Sequence, residues 1–185
     1  MFPHVQRHLR ALIYHTKITD SVHANGSYIF LQVYALGRAA DPAVLKREGG
    51  FDLVAPSPIP IHLAHSEAGE GELVVPHELT VAELKEYVEL YSEAARNAIE
   101  AGFDGVEIHA ANGYLLDQFL QTVSNERTDE YGGSIDDRVR FPLEVINAVV
   151  ETIGEERTAV RVSPWSKYQG ESYQSRASCV SNTAL

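Results

Sequence analysis

The sequence predicts an α/β fold in which parallel strands are joined by crossover helices. Three short runs, at residues 28–36, 103–109 and 158–162, have the apolar composition of strands, and the first is predicted to be buried on both faces. Two longer segments between these runs repeat their apolar residues every three to four positions, as amphipathic helices do. The order helix, strand, loop, helix, strand, helix, strand is typical of a parallel sheet.

Both long helices begin at capping motifs. Thr80 and Glu83 form a capping box, in which each side chain satisfies a backbone donor of the other residue, and the helix that follows is predicted to end at Gly102. Ser134 opens the second long helix in the same manner, with its end at Gly154. These start and stop signals define the crossover helices of the predicted sheet.

The remaining segments are irregular. Residues 37–79 contain prolines 56, 58, 60 and 76 and are predicted to be a long loop, of the kind that often covers an active site. Residues 1–17 form an atypical N-terminal segment, because one helix could not bury both their apolar stripe and the stripe of the following residues. Residues 171–185 are predicted to be a disordered, serine-rich tail, which leaves 18–170 as the folded domain.

Composition excludes several classes of protein. With 44% hydrophobic and 22% charged residues, the 185-residue chain has an ordinary globular composition. Its net charge of −11 argues against nucleic-acid binding, which needs a basic face. The single cysteine, Cys179, excludes an intrachain disulfide and is expected to be an inert thiol. No apolar run approaches the roughly 18 residues of a membrane span, and the start of the chain lacks a secretory signal, so the prediction is a cytoplasmic protein without a membrane partner.

The most informative stretch follows the second predicted strand. That strand ends at His109, and Asn112, Gly113 and Tyr114 come directly after it. Strand ends that lead into helices are where α/β barrels place their chemistry. An imidazole, an amide and a phenol at such a point can hold a carbonyl oxygen and protonate a neighbouring carbon. His109 alone would more often be a buried structural histidine, but the motif as a whole indicates a reaction site.

Four blocks of sequence resemble the old yellow enzyme family of FMN-dependent ene-reductases. They are Phe-Leu-Gln-Val-Tyr-Ala-Leu-Gly-Arg at 30–38, His-Ala-Ala-Asn-Gly-Tyr at 109–114, Ser-Asn-Glu-Arg-Thr-Asp-Glu-Tyr-Gly-Gly-Ser at 124–134, and Arg-Val-Ser-Pro-Trp at 161–165. Within the family the chain looks most like the fungal branch that includes chanoclavine aldehyde reductases of ergot alkaloid biosynthesis. The resemblance implies an incomplete TIM (β/α)₈ barrel, with about three of its eight parallel strands and their crossover helices.

The resemblance also implies roles for individual residues. His109 and Asn112 would bind the carbonyl oxygen of an enal or enone, and Tyr114 would be the catalytic proton donor. Gln32 would bind the pyrimidine edge of FMN, and Arg161 would lie near its N1 and O2. NADPH would be the reductant.

Plainer interpretations remain open for several of these positions. Gln32 could cap backbone groups, and Arg161 on its apolar strand could form a salt bridge with Glu107 or Asp104. Tyr34 stands where many family members have tryptophan. A loop network without chemistry is expected of Arg127, Asp129, Tyr131 and Arg138. His62 and His65 have metal-like spacing, but the prolines before them favour a loop, so no metal site is predicted.

Family members carry a further pair of strands before this region and three more after it, with the loops that hold the cofactor phosphate. Three strands cannot close a barrel, and an open barrel leaves two bare strand edges. We therefore expect a truncated protein that is inactive as a reductase by itself. The alternatives are an active ene-reductase assembled as an oligomer, a non-catalytic binding partner that pairs with a full-length relative through its strand edges, and a gene-model error.

Overall fold

The computed structural model describes residues 15–61 and 73–165. The described helices are α1 (residues 15–24), α2 (Pro42–Glu48), α3 (Val81–Glu100), α4 (Leu115–Leu120) and α5 (Ile135–Ile153). The strands are β1 (Phe30–Val33), β2 (Val54–Ala55), β3 (His77–Glu78), β4 (Gly105–Ala110) and β5 (Thr158–Val162), and short 3₁₀ turns cover Gly37–Ala39 and Glu155–Arg157. The predicted N-terminal segment up to residue 14, the serine-rich tail with Cys179, and His62 and His65 lie outside the described residues.

The three predicted strands form one sheet with the order β1-β4-β5. β1 and β4 pair in parallel, with Phe30 opposite Gly105 and Gln32 opposite Glu107. Gly105 is required at this point, because a Cβ there would overlap the ring of Phe30. The α/β prediction is therefore confirmed, and within the described residues the sheet is open at both edges.

The prediction that residues 28–36 are buried on both faces is wrong. β1 is only four residues long, and of these Val33 alone is buried. Tyr28 and Tyr34 on either side are 83% and 55% exposed. β1 lies at the edge of the sheet, whereas the central strand β4 buries Val106 and Ile108 completely. Strand composition reports a fit to a pleated surface and does not distinguish an edge from a central strand.

The prediction that residues 37–79 form a long loop is wrong where the structure shows regular elements, namely α2, β2 and β3. Asp41 caps α2 by accepting hydrogen bonds from the backbone nitrogens of Ala43 and Val44, at 2.8 and 3.4 Å, and Pro42 occupies the first helical turn. Both are ordinary helix-start signals. β2 and β3 then form a small parallel pair further along. The prolines at 56, 58 and 60 favour irregular backbone, so the sequence did not predict these short elements.

The chain packs as two compact units. Among the described residues, one consists of 15–33, Glu86–Ile108 and Val145–Val160; the other consists of 34–61, 73–85, His109–Glu144 and 161–165. In the first unit, the hydroxyl of the fully buried Thr19 donates to the carbonyl oxygen of Ala101 at 2.9 Å. In the second unit, the rings of Phe119 and Phe141 pack 4.6 Å apart, and both side chains are completely buried.

The predicted structural network around Arg127 is confirmed. The buried guanidinium donates to the backbone carbonyls of Pro56 and Leu79, at 3.0 and 2.6 Å, and pairs with Asp129. The carbonyl of Tyr131 accepts a hydrogen bond from Asn125. Arg138 donates to the carbonyls of Leu120 and Gly133. These groups hold an irregular segment by satisfying its backbone, and none of them needs a catalytic role.

The predicted capping box of α3 is present. The backbone nitrogen of Thr80 donates to the carboxylate of Glu83 at 2.7 Å, and the nitrogen of Glu83 donates back to the Thr80 hydroxyl at 3.3 Å. The Thr80 hydroxyl and the His77 ring also contact this carboxylate. Chiefly because of the Thr80 backbone bond, the pKa of Glu83 is lowered from 4.5 to about 2.

This lowered pKa predicts a pH-dependent contribution to stability. The ionised carboxylate is favoured in the folded state, so its contribution is complete above pH 4.5 and is lost as the pH falls toward 2. We expect Glu83→Gln to lower the thermal unfolding midpoint near neutral pH, and the gap from wild type to narrow across that window. Glu86→Gln, at an exposed position of the same helix, is the control and should show a smaller gap. A gap for Glu83→Gln that stays constant with pH would contradict the assignment.

Candidate active site

Three rings meet in the second unit, where β4 ends. His109 is the penultimate residue of β4 and is buried. Its ring centroid lies 5.1 Å from that of Tyr114 and 6.1 Å from that of Tyr34. The rings of Tyr34 and Tyr114 stack, with centroids 5.7 Å apart and planes inclined by 29°. The structure thus brings the predicted imidazole and phenol into contact, beside a second phenol.

The turn between His109 and Tyr114 has an unusual backbone. Asn112 and Gly113 both adopt left-handed conformations, with φ of 56° and 75°. Glycine adopts this region freely, and asparagine is among the few other residues that enter it. The hydroxyl of Ser163 accepts the Asn112 backbone N–H at 2.7 Å, and the carboxylate of Asp117 accepts that of Gly113 at 2.8 Å. The turn is therefore held by side chains from outside it.

A buried amide lies behind this turn. Gln118, on α4, is completely inaccessible to solvent. Its Nε2 donates to the carbonyls of Gly113 and Leu36, at 2.7 and 3.0 Å, and its Oε1 accepts the Arg38 backbone N–H at 3.2 Å. A Cβ on residue 37 would overlap this amide, so Gly37, with φ of 59°, is needed beside it.

The two predicted cofactor residues are exposed. Gln32 projects from β1, and its Nε2 donates to the Glu107 carboxylate at 2.6 Å. Arg161 lies on β5 and is also exposed. β5 is the other edge of the sheet, which explains that exposure. The alternative of a salt bridge with Glu107 or Asp104 stays a prediction. Considered singly, an amide with donor and acceptor functions and an accessible guanidinium fit the pyrimidine edge of a flavin.

The sequence pattern identified His109, Asn112 and Tyr114, but it missed the residues that hold them. In the sequence, Tyr34 is only a departure from the family pattern, and no role is predicted for Asp117, Gln118 or Ser163. A signal for two of them was present: Asp117 and Gln118 are adjacent polar residues inside the apolar run 115–120. Polar residues at buried positions of a short helix need hydrogen-bond partners, so they often organise backbone nearby.

Polar side chains at the end of a central parallel strand, as His109, Asn112 and Tyr114 are here, are typical of α/β-barrel enzymes. The chain belongs to the NADH:flavin oxidoreductase / NADH oxidase family, whose model matches residues 8–181. The predicted resemblance and the predicted incomplete TIM barrel are thereby confirmed.

Individual relatives agree with this placement. The NADP-dependent oxidoreductase lnbE of Aspergillus flavus is 54% identical over 154 residues, which are 83% of this chain and 38% of the relative. The chanoclavine-I aldehyde reductase fgaOx3 of Penicillium roqueforti is 51% identical over 154 residues, 83% of this chain and 40% of the relative. The crystal structure of Old Yellow Enzyme from Pichia sp. AKU4542 is 41% identical with a TM-score of 0.83, covering 92% of this chain and 45% of that chain. The chain thus spans less than half the length of these relatives.

Two further observations concern the described residues alone. Residues 15–61 and 73–165 contain no cluster of three or more His, Cys, Asp or Glu side chains arranged to hold a metal ion. None of the helices in that part of the chain is both long and apolar enough to cross a membrane.

Proposed function

We propose that this chain carries the substrate-binding and proton-donating part of an FMN-dependent ene-reductase site. The observation that supports the proposal is the contact between the rings of His109 and Tyr114, whose centroids are 5.1 Å apart, on either side of the left-handed turn at Asn112. The substrates would be α,β-unsaturated aldehydes or ketones of fungal secondary metabolism, of the ergot alkaloid type. The name of the Penicillium roqueforti relative, a chanoclavine-I aldehyde reductase, supports this substrate class.

The residues of the site would perform two chemical tasks, binding of the carbonyl oxygen and donation of a proton. His109 and the side chain of Asn112 would donate hydrogen bonds to the carbonyl oxygen, which stabilises the enolate charge as it develops. Burial of His109 strengthens that interaction, because a low local dielectric weakens electrostatics less than water does. Tyr114 would give its proton to the α-carbon. FMN, when bound, would supply the hydride that reaches the β-carbon, with Gln32 and Arg161 as its candidate ligands and NADPH as its reductant.

Tyr34 bounds the same site. Its ring stacks on Tyr114, and the residue is 55% exposed. A substrate that reached Tyr114 would therefore also meet an aromatic surface. This arrangement suits a flat conjugated carbonyl compound better than a bulky saturated one. We further propose that the protein works in the cytoplasm, where NADPH is available.

We also propose that the 185-residue polypeptide alone does not complete the reaction. Its described main sheet has three strands, and the chain spans 38% of the length of its Aspergillus flavus relative. The expected result is a purified chain without flavin absorbance that does not oxidise NADPH in the presence of an enal. The measurements are an absorbance spectrum and the decay of NADPH absorbance. FMN bound at near-unit stoichiometry, together with enal-dependent NADPH oxidation, would refute this part of the proposal.

The exposed sheet edges favour one second candidate. Val160 and Val162 on β5 are 39% and 61% exposed, and Phe30 on β1 is 44% exposed. Unpaired strand edges with apolar side chains are templates for pairing with another chain. An oligomer, or a complex with a full-length relative, could therefore complete the sheet and retain FMN. Size-exclusion chromatography with detection in the flavin band distinguishes this candidate from a colourless monomer.

A further inference from the structure

The geometry of the site depends on how the segments of Tyr34 and Tyr114 are held together. Tyr34 and Tyr114 are 80 positions apart in the sequence, yet their rings stack. The backbone nitrogen of Leu115 donates to the carbonyl of Ala35 at 3.0 Å, so the two segments already share one hydrogen bond. A backbone hydrogen bond restrains the relative orientation of two segments less than several bonds to one buried side chain do.

Gln118 supplies the additional connections. Its Nε2 donates both to Gly113, which precedes Tyr114, and to Leu36, two residues after Tyr34. Its Oε1 accepts from the backbone of Arg38. A primary amide has two N–H donors and one carbonyl acceptor, so this environment uses the donors and acceptor of the group specifically. A side chain with other chemistry would remove these three hydrogen bonds, of which those to Gly113 and Arg38 are buried.

We propose that Gln118 is a positioning residue, whose buried amide joins the backbone just before Tyr114 to the segment that follows Tyr34, and so sets the angle at which the proton donor meets its substrate. This proposal rests on the proposed function for the roles of proton donor and substrate. The arrangement of the two rings, which it explains, is a property of the chain itself. Gly37 is needed for the same arrangement, because a side chain at this position would displace the Gln118 amide.

The second unit offers a matched control. Asn125 is also a buried amide, and it makes the same set of bonds: its Nδ2 donates to the carbonyls of Phe119 and Tyr131, both at 2.8 Å, and its Oδ1 accepts the Arg127 backbone N–H at 3.1 Å. Its partners do not include the segments of Tyr34 or Tyr114. Gln118→Met and Asn125→Leu therefore each remove three side-chain hydrogen bonds, at different places.

The first readout is the proximity of the two phenol rings, measured by NMR on the 185-residue chain with labelled tyrosine, with Tyr34→Phe and Tyr114→Phe used for assignment. Wild type is expected to show a nuclear Overhauser effect between these rings. Gln118→Met should lose it, whereas Asn125→Leu should retain it, although both should lower the thermal unfolding midpoint. Retention in Gln118→Met, or equal loss in both variants, would overturn the proposal.

If Gln118→Met does not fold, Gln118→Asn replaces it in the NMR measurement. It keeps an amide that is one methylene shorter and can reach only one of the two carbonyls. It is expected to weaken the effect between the rings, and an unchanged effect would count against the proposal.

The second readout is binding of 4-nitrophenolate, whose oxygen carries the kind of charge that an enolate oxygen would. A visible-absorbance titration should give an affinity at least about tenfold weaker for Gln118→Met than for wild type, because small displacements of oriented groups have large effects. Asn125→Leu should match wild type, and an affinity for Gln118→Met equal to that of wild type would count against positioning. If the wild-type chain does not bind 4-nitrophenolate, the proposed function is refuted. If Gln118→Met alone then still loses the nuclear Overhauser effect between the rings, the positioning role is supported.

Discussion

Replacing Tyr114 with phenylalanine is expected to slow net enal reduction by about 10²–10⁴-fold in a flavin-loaded protein, the usual contribution of a positioned general acid. A suitable host is a chimera in which the 154 matched residues of this chain replace those of the Aspergillus flavus relative. The ring stacks on Tyr34 and contacts His109, so phenylalanine keeps its packing and removes only the hydroxyl. Reduction of the flavin by NADPH should proceed at the wild-type rate.

Stopped-flow measurement of the two half-reactions tests this expectation. Tyr131→Phe is the matched control, since it removes a buried phenol hydroxyl that contacts the Glu144 carboxylate at 3.2 Å, away from the proposed site. That variant should leave both half-reactions unchanged. Equal slowing of flavin reduction and enal reduction by Tyr114→Phe would refute its role as proton donor.

Replacing Arg127 with methionine is expected to lower the free energy of unfolding by about 3 kcal/mol, because a buried cation and its hydrogen bonds are lost together. Methionine retains the apolar part of the side chain. The carbonyls of Pro56 and Leu79 would lose the donor that now lies 3.0 and 2.6 Å away. The Asp129 carboxylate would lose the guanidinium and keep the backbone N–H of Tyr131. The pKa of this carboxyl, which is lowered chiefly by its hydrogen bond with Arg127, should therefore rise.

Urea denaturation followed by circular dichroism measures the change in stability. Arg140→Met is the control, because Arg140 makes bonds of the same kinds, to the Glu130 carbonyl and the Asp137 carboxylate, from an exposed position. Exposed ion pairs contribute little, so its effect should be much smaller. Similar losses in the two variants would contradict the view that burial is what makes Arg127 important.

Much of the fold follows from local pattern. The capping boxes at Thr80 and Ser134 were readable because the groups that satisfy one another are three residues apart. The strand at 158–162 was predicted with its observed bounds. α2 was missed although Asp41 and Pro42 are ordinary start signals, because the prolines that follow them suggested a long loop. The burial of β1 was mispredicted because its position in the sheet is not a local property.

The sequence by itself determined the alternation of the three main strands with the two long helices, the end of β4 to within one residue, and the imidazole, amide and phenol that follow one another there. All of these depend on residues within a few positions of each other. Only the tertiary structure decided that Tyr34 stacks on Tyr114, and that Gln118 bonds to a carbonyl 82 residues away. Such pairings depend on how distant segments pack, because an amide forms these bonds wherever folding brings suitable backbone groups within reach.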